Sequence, residues 1–319
     1  MNIVVQGISR PGQIPGLDPP PTGVTFRFAK GPEALAEALP GAEVMFGFDY
    51  KGRSLRDAWH ASGDLRWIQW AGAGVDALLF DELVASDVIV TNAAGVFDQP
   101  IAEHVLGVML AFAKGFPASV RAQQSHEWDY RMTESLAGTT AIVVGAGGIG
   151  RSITRLLTAV GVTVTVLASR TRPDEDLGMV YGWETRADHL PSADWLILAT
   201  PLTEATRNLI DAGVLAMLPE RARFVNIGRG DSVDEPALIL AVQEGRLAGA
   251  GLDVFASEPL PNDSPFWDLD NVIVTPHHSG DVGTYPAAVV DIFLDNLDRF
   301  RNGKPLRNVI DKSKGYGAR

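Results

Sequence analysis

The chain contains no cysteine in 319 residues, which excludes disulfides and thiol chemistry. It also lacks an excess of positive charge. Its 27 Lys and Arg residues face 39 Asp and Glu, a net charge of −12, which argues against a general attraction to nucleic acid or to an anionic membrane. Any anionic ligand must therefore find a local cluster of donors. No apolar run is long enough to span a bilayer, and no charged segment leads into an apolar stretch at the N-terminus, so a soluble cytoplasmic protein is expected. There is no internal repeat or low-complexity tract, and no metal site is expected. What remains is 46% hydrophobic residues in a chain too long for one core, which predicts two globular domains.

Residues Val143 to Gly150 read VVGAGGIG. Gly145, Gly147 and Gly150 have the G-x-G-x-x-G spacing, in which the first permits a tight turn, the second lets backbone approach a pyrophosphate, and the third lets a helix pack on the strand. The context fits. Thr140 to Val144 is strand-like, and Ile149, Ile153, Leu156, Leu157 and Val160 mark one apolar helix face whose N-terminus would meet the phosphates. The next strand, Val162 to Leu167, ends at Ala168 where an NAD site normally places Asp or Glu for the ribose 2′-hydroxyl. Ser169, Arg170, Thr171 and Arg172 follow, and no carboxylate appears before Asp174. These four residues can donate to a 2′-phosphate, each charge-assisted bond contributing roughly 1.5–3 kcal/mol, so NADP(H) is expected over NAD(H).

The N-terminal part reads as a small α/β unit. It has strand-like runs at Ile3 to Val5, Val44 to Phe46, Leu65 to Trp70 and Val88 to Val90, a helix near Glu33 to Leu39, and a Pro- and Gly-rich surface loop at Gln13 to Thr22. A long apolar helix is predicted from Ile101, after Pro100, to about Lys114. From Thr139, strands alternate with helices through Leu196 to Ala199, Phe224 to Ile227, Ala250 to Val254 and Val272 to Val274. This implies a mostly parallel sheet with ligands beyond its carboxyl edge. The last helix, near Pro286 to Arg301, has one buried face, with the N-terminal unit as its most economical partner. The tail Lys312 to Arg319 is expected to be mobile.

Three of these strands end in polar segments: Asn226-Ile227-Gly228-Arg229-Gly230, Gly251 to Pro259 (GLDVFASEP), and Thr275-Pro276-His277-His278-Ser279-Gly280. Here the chain resembles the D-isomer-specific 2-hydroxyacid dehydrogenases. The likeness runs over nearly its whole length and in order, through Gly72 to Asp76, Ala102-Glu103-His104, the glycine loop and Pro201-Leu202-Thr203. The resemblance implies an α/β fold of two Rossmann-like, doubly wound parallel-sheet domains. A substrate domain at residues 1–96 plus 284–319 would hold an inserted cofactor domain at residues 97–283. It implies Arg229, Glu258 and His277 as catalytic groups. For the substrate it implies Arg229 and the backbone around Ala73 and Gly74, with an aromatic such as Tyr50. The implied cofactor contacts extend from Gly145, Gly147, Gly148 and Ile149 through Ser169 to Arg172, then Thr200, Pro201, Thr206, Ile227, Gly228, Arg229, Asp253, His277 and Gly280. A homodimer through the cofactor domain is implied too, with Ile101 to Ala113 and the Trp128 segment as candidate contacts. Within the family, the Ser-Arg-Thr-Arg turn is most similar to NADPH-using glyoxylate and hydroxypyruvate reductases.

The three catalytic roles also follow from chemistry. Reducing a 2-oxo acid needs a hydride, a proton for the carbonyl oxygen and a grip on the carboxylate. Histidine is the natural proton donor near neutral pH, and a carboxylate on its far nitrogen should favour imidazolium. Arginine offers a planar fork for carboxylate and carbonyl oxygens. His278 is an alternative to His277, Asp253 could orient a ring or contact the cofactor, and Phe48 and Tyr50 could line the cleft or pack in a loop. His104 reads as a packing residue. Two other functions stay open: a dinucleotide-sensing protein of the corepressor type, and a dehydrogenase acting on a hydride donor such as formate or phosphite.

Overall fold

A computed structural model describes residues 1–10, 12–48 and 53–317. The candidate Tyr50 lies outside the described residues. The chain divides into two compact units, Met1–Phe97 with Val282–Arg319, and Asp98–Asp281. Among the described residues, no single helix is long and apolar enough to cross a membrane.

The first unit is built on a parallel sheet of β1 (Asn2–Gln6), β2 (Thr25–Ala29), β3 (Val44–Gly47), β4 (Trp67–Trp70) and β5 (Ile89–Thr91), in the order β2-β1-β3-β4-β5. Ile3, Val4 and Val5 are all fully buried, as expected of a strand covered on both faces rather than one. The helix Tyr285–Arg301 covers one face, burying Val289, Val290, Phe293, Asn296 and Leu297. Phe293 stacks on Phe46 at 4.2 Å and lies 5.7 Å from the Trp67 ring. Burial of such a side chain contributes about 1.5–3 kcal/mol. A polar thread runs through this apolar contact. Asn296 donates to Gln69 Oε1 at 3.1 Å, Thr91 donates to the same oxygen at 2.9 Å, and the Trp67 indole donates to Thr91 at 2.8 Å. A buried network with its groups satisfied admits only one register of the helix on the sheet.

Two expectations for this unit change. β2 was not anticipated, because TFRFA follows a Pro- and Gly-rich stretch and leaves Thr25 exposed. Up to Gly317 the tail is tied down rather than loose: Ile310–Asp311 pairs antiparallel with Tyr316–Gly317, and Lys312 Nζ donates to the Leu83 and Ser86 carbonyls at 2.9 and 2.5 Å.

The second unit holds an eight-stranded sheet of β6 (Thr140–Val144), β7 (Thr163–Ala168), β8 (Arg172–Asp174), β9 (Gly178–Gly182), β10 (Trp195–Leu198), β11 (Arg223–Asn226), β12 (Gly249–Leu252) and β13 (Val272–Val274). Their order is β13-β12-β11-β10-β6-β7-β9-β8, and only β8 runs antiparallel to its neighbour. The chain leaves β6 toward β7 and later returns to its other side at β10. That reversal opens a crevice beyond the carboxyl ends of β6 and β10, the usual ligand position in such sheets.

Here too the structure departs from expectation. The helix Asp98–Ala113 starts before Pro100 instead of after it, since a proline in the first turn gives up no intrahelical hydrogen bond. It also commits Ile101, Ala102, Val105, Val108, Met109 and Ala113 to burial. The turn after Ala168 bends at Ser169 and Arg170, and its last residue, Arg172, already begins the β8–β9 hairpin.

Candidate active site

At the crevice, β6 ends in Gly145, whose φ of +123° few side chains tolerate. A Cβ there would also lie 2.5 Å from the Ala199 carbonyl oxygen at the end of β10. Gly147 differs. Its φ of −79° suits any residue, and a Cβ would meet nothing of the protein within 4 Å. Neither strain nor crowding demands glycine at Gly147, and its bare backbone is open to close approach by a ligand. Gly148 and Ile149 open the helix Gly148–Ala159, so its unpaired amides face the same crevice. Nearby, the Thr200 hydroxyl is buried without a hydrogen-bond partner among the described residues, which costs about 1–3 kcal/mol until a ligand satisfies it. Pro201 and Thr206 close the adjoining loop: Thr206 Oγ1 donates to the Pro201 carbonyl at 2.7 Å and accepts from the Thr203 amide at 2.8 Å. These features fit a dinucleotide pyrophosphate.

The next strand end fits the rest of such a cofactor. Ala168 is the last residue of β7, so no acid stands there. Ser169, Arg170 and Thr171 are exposed, and Thr171 Oγ1 accepts from the Gly182 amide at 2.8 Å, leaving its proton for another acceptor. Arg172 begins β8. Neither Arg170 nor Arg172 makes an ion pair among the described residues. Asp174, the first acid of this segment, is held by Arg151 of the glycine-turn helix.

The candidate catalytic residues Arg229, Glu258 and His277 lie past the carboxyl ends of the adjacent strands β11, β12 and β13. After β11, Asn226 folds the turn over itself: Gly228 N–H donates to its Oδ1 at 3.0 Å, and its Nδ2 donates to the Arg229 carbonyl at 3.1 Å. Ile227 and Gly228 are buried, while Arg229 is extended and partly exposed. Gly230 brings this turn against the next, because a Cβ there would sit 1.9 Å from the Phe255 carbonyl carbon. The second turn carries Glu258. Its Oε1 accepts from the Phe255 amide at 3.1 Å and its Oε2 meets His277 Nδ1 at 2.7 Å.

His277 stands in a left-handed conformation, φ +52°, with its amide donating to the Asp253 carbonyl at 2.8 Å. A non-glycine residue held there costs of order 1–3 kcal/mol and persists only where its surroundings over-determine it. Asp253 does much of that. It is 1% exposed, accepts from Thr275 Oγ1 at 2.6 Å, from the His278 amide at 3.1 Å and from the Ser279 amide at 2.9 Å. Burial alone would raise its pKa, but these donors from Ser279, Thr275 and His278 outweigh burial and hold it below the usual carboxylate range. Gly280 follows in the same turn, partly buried.

Geometry therefore separates the two histidines. His277 has the carboxylate partner, while the His278 ring lies 5.9 Å from that of His104. His104 is more than a packing residue, since its Nε2 is 3.4 Å from Thr275 Oγ1. Burial lowers the His104 pKa, Asp253 opposes that shift, and His278 adds to it.

In the first unit, Asn92 sets the turn at residues 72–74: its Nδ2 donates to the Ala73 carbonyl at 2.6 Å, and Ala93 N–H donates to the Gly72 carbonyl at 3.0 Å. The amides of Ala73 and Gly74 donate no hydrogen bond among the described residues. Phe48 packs on Phe46 with ring centroids 4.5 Å apart, the packing alternative for that residue. Asn92 and Arg151 stand in no sequence motif quoted above, and Asn226 and Thr275 enter only as members of the strand-end segments. Each acts through hydrogen bonds to residues brought near it by the turn or fold, a relation that spacing does not display.

A glycine-turned nucleotide crevice beside an imidazole–carboxylate pair on one carboxyl edge belongs to dinucleotide-dependent oxidoreductases. The family model for the D-isomer specific 2-hydroxyacid dehydrogenase, NAD binding domain, matches residues 106–279, more than half of the chain. The chain belongs to the D-isomer specific 2-hydroxyacid dehydrogenase family. It is 33% identical over 241 residues to a glyoxylate/hydroxypyruvate reductase A of Arabidopsis thaliana, covering 74% of this chain and 75% of that one. Among solved structures, a D-isomer specific 2-hydroxyacid dehydrogenase from Xanthobacter autotrophicus Py2 in complex with NADPH and MES is similar over 99% of both chains, with a TM-score of 0.83 and 31% identity. An NADPH-dependent glyoxylate/hydroxypyruvate reductase from Sinorhizobium meliloti in complex with NADP and sulfate matches over 99% of both chains, with a TM-score of 0.82 and 26% identity.

Proposed function

We propose that this protein reduces a small 2-oxo acid, such as glyoxylate or hydroxypyruvate, to the D-2-hydroxy acid and prefers NADPH to NADH. The observation that carries the reaction is the 2.7 Å contact between His277 Nδ1 and Glu258 Oε2 on the edge that also bears Arg229. Reduction adds a hydride to the carbonyl carbon and a proton to its oxygen. The nicotinamide cofactor, when bound, supplies the hydride. With Nδ1–H directed to Glu258, the Nε2 of His277 is the proton donor to the carbonyl oxygen, and Glu258 stabilises the charged ring. Arg229 grips the substrate carboxylate and polarises the carbonyl, a contribution of about 3–4 kcal/mol for one preorganised donor.

The NADPH preference is supported by the missing acid at Ala168, by Arg170 and Arg172, and by the NADPH and NADP named with the two solved relatives. One charge-assisted contact is enough for a tenfold preference at about 1.4 kcal/mol per decade. A panel of small 2-oxo acids assayed with both reduced dinucleotides tests this reading. We expect turnover with at least one of them and at least about tenfold higher kcat/KM with NADPH. Equal efficiencies would remove the cofactor preference, and no turnover with any 2-oxo acid would remove the reaction. We assign homodimer formation to the segment with the exposed residues Phe116, Val120, Trp128, Tyr130 and Met132, of which Trp128 is 98% exposed.

A further inference from the structure

Arg151 is in the first turn of the helix Gly148–Ala159, where a cation is opposed by the helix dipole. Its surroundings explain its presence. Its guanidinium forms a two-pronged pair with Asp174, Nη1 to Oδ1 at 2.7 Å and Nη2 to Oδ2 at 2.5 Å, and Nη1 also reaches Asp176 Oδ2 at 2.9 Å. The fork is well matched to a carboxylate, and the Asp174 side chain is only 9% exposed, so solvent screens this pair less than an ordinary surface one. Asp174 also accepts from the amides of Asp176 and Leu177 at 3.2 and 3.3 Å, closing the turn between β8 and β9. The Arg151 pair holds the Asp174 carboxyl far below the usual carboxylate range.

What this arrangement holds is the segment that differs most from an NAD site. β8 is three residues long, is at the sheet edge and pairs only with β9, so its own hydrogen bonds leave it marginal. Arg172 and Asp174 are two apart on β8, so both project to the face that meets Arg151, and Pro173 projects to the other. Two carboxylates on this hairpin would repel a 2′-phosphate if nothing neutralised them.

We propose that Arg151 is a positioning residue for dinucleotide choice: by gripping Asp174 and Asp176 it fixes the β8–β9 hairpin with Arg172 toward the cofactor's 2′-phosphate and offsets part of the negative charge that would repel it. This rests on the NADPH reading above. The contact is to the hairpin, so the effect belongs to the 2′-phosphate and not to the hydride step.

The test compares wild type with R151Q, R151K and the triple variant R151Q/D174N/D176N. It uses kcat/KM for both dinucleotides together with calorimetric binding of 2′,5′-ADP and of ADP, which reads the phosphate without turnover. R151Q is expected to lose about tenfold in NADPH efficiency and in 2′,5′-ADP affinity, while NADH and ADP change by less than about twofold. R151K, with the charge but not the fork, falls between, and it replaces R151Q if that variant does not fold. The triple variant recovers part of the 2′,5′-ADP affinity, because the repelling charges go with the arginine. A wild type that prefers NADPH, with variants that lower both dinucleotides equally or neither, overturns the role of Arg151 alone. A wild type without NADPH preference overturns the underlying reading and this inference with it.

Discussion

The two ends of the eight-stranded sheet treat their carboxylates in opposite ways. On the β11–β13 side, Asp253 is buried and Glu258 largely so, and both accept hydrogen bonds from backbone amides that they lock in place. On the β7–β8 side, Asp174 and Asp176 share one arginine across a short edge hairpin. The first arrangement spends acidic charge to hold a strained turn under His277. The second keeps acidic charge away from the groups that face outward. The proposed reaction groups and the proposed selection hairpin thus lie toward opposite ends of one sheet, and changes at the two should read out in different kinetic constants.

The largest expected effect falls on the reaction edge. H277A should lower kcat by about 10²–10⁴-fold, the usual yield of a positioned acid, and leave dinucleotide binding by fluorescence titration near wild type. Wild-type turnover in that variant would end the assignment of the proton donor. A smaller loss is expected for D253N. The amide cannot accept from both flanking backbone N–H groups, so one buried donor is orphaned at a cost of about 1–3 kcal/mol in denaturant unfolding, with kcat falling as the His277 turn loosens. If D253N lost no stability, the lock on the turn would lie elsewhere.

The smallest effect concerns His104 and acid. Its folded pKa is below its ordinary value, so the folded state holds the neutral ring while the unfolded chain takes up a proton first. The stability it contributes is fully present above the unfolded value of about 6.5 and declines as pH falls below that. Melting midpoints of wild type and H104Q between pH 7.5 and 5 check this. The wild-type midpoint should drop more steeply, and parallel curves would show that His104 does not titrate as placed.

Much of the dinucleotide crevice was legible because its requirements are local. Gly145 must accept a positive φ, and Gly147 must leave its backbone open, and both needs are written in residue type and spacing. The strands bearing Arg229, Glu258 and His277 were legible as short apolar runs bounded by polar turns. The β8–β9 hairpin was not. Its strands contain Pro173, Gly178 and Gly182, which weaken any periodic signal, and it exists by pairing along the edge of β7. Likewise, nothing near Arg151 in the chain marks it as a partner of Asp174, and His104 meets Thr275 across 171 residues. The sequence favours His277 over His278 by its place after a strand end and Pro276, whereas the contact of its Nδ1 with Glu258 is visible only in the fold.

The polar thread from Asn296 to Gln69 bears on how the chain is made. Gln69 and Thr91 leave the ribosome early, yet the amide that pairs with Gln69 is on the helix Tyr285–Arg301, after the whole unit Asp98–Asp281 has been synthesised. That sheet has an apolar face uncovered until the helix is made, an interval in which exposed hydrophobic surface favours aggregation.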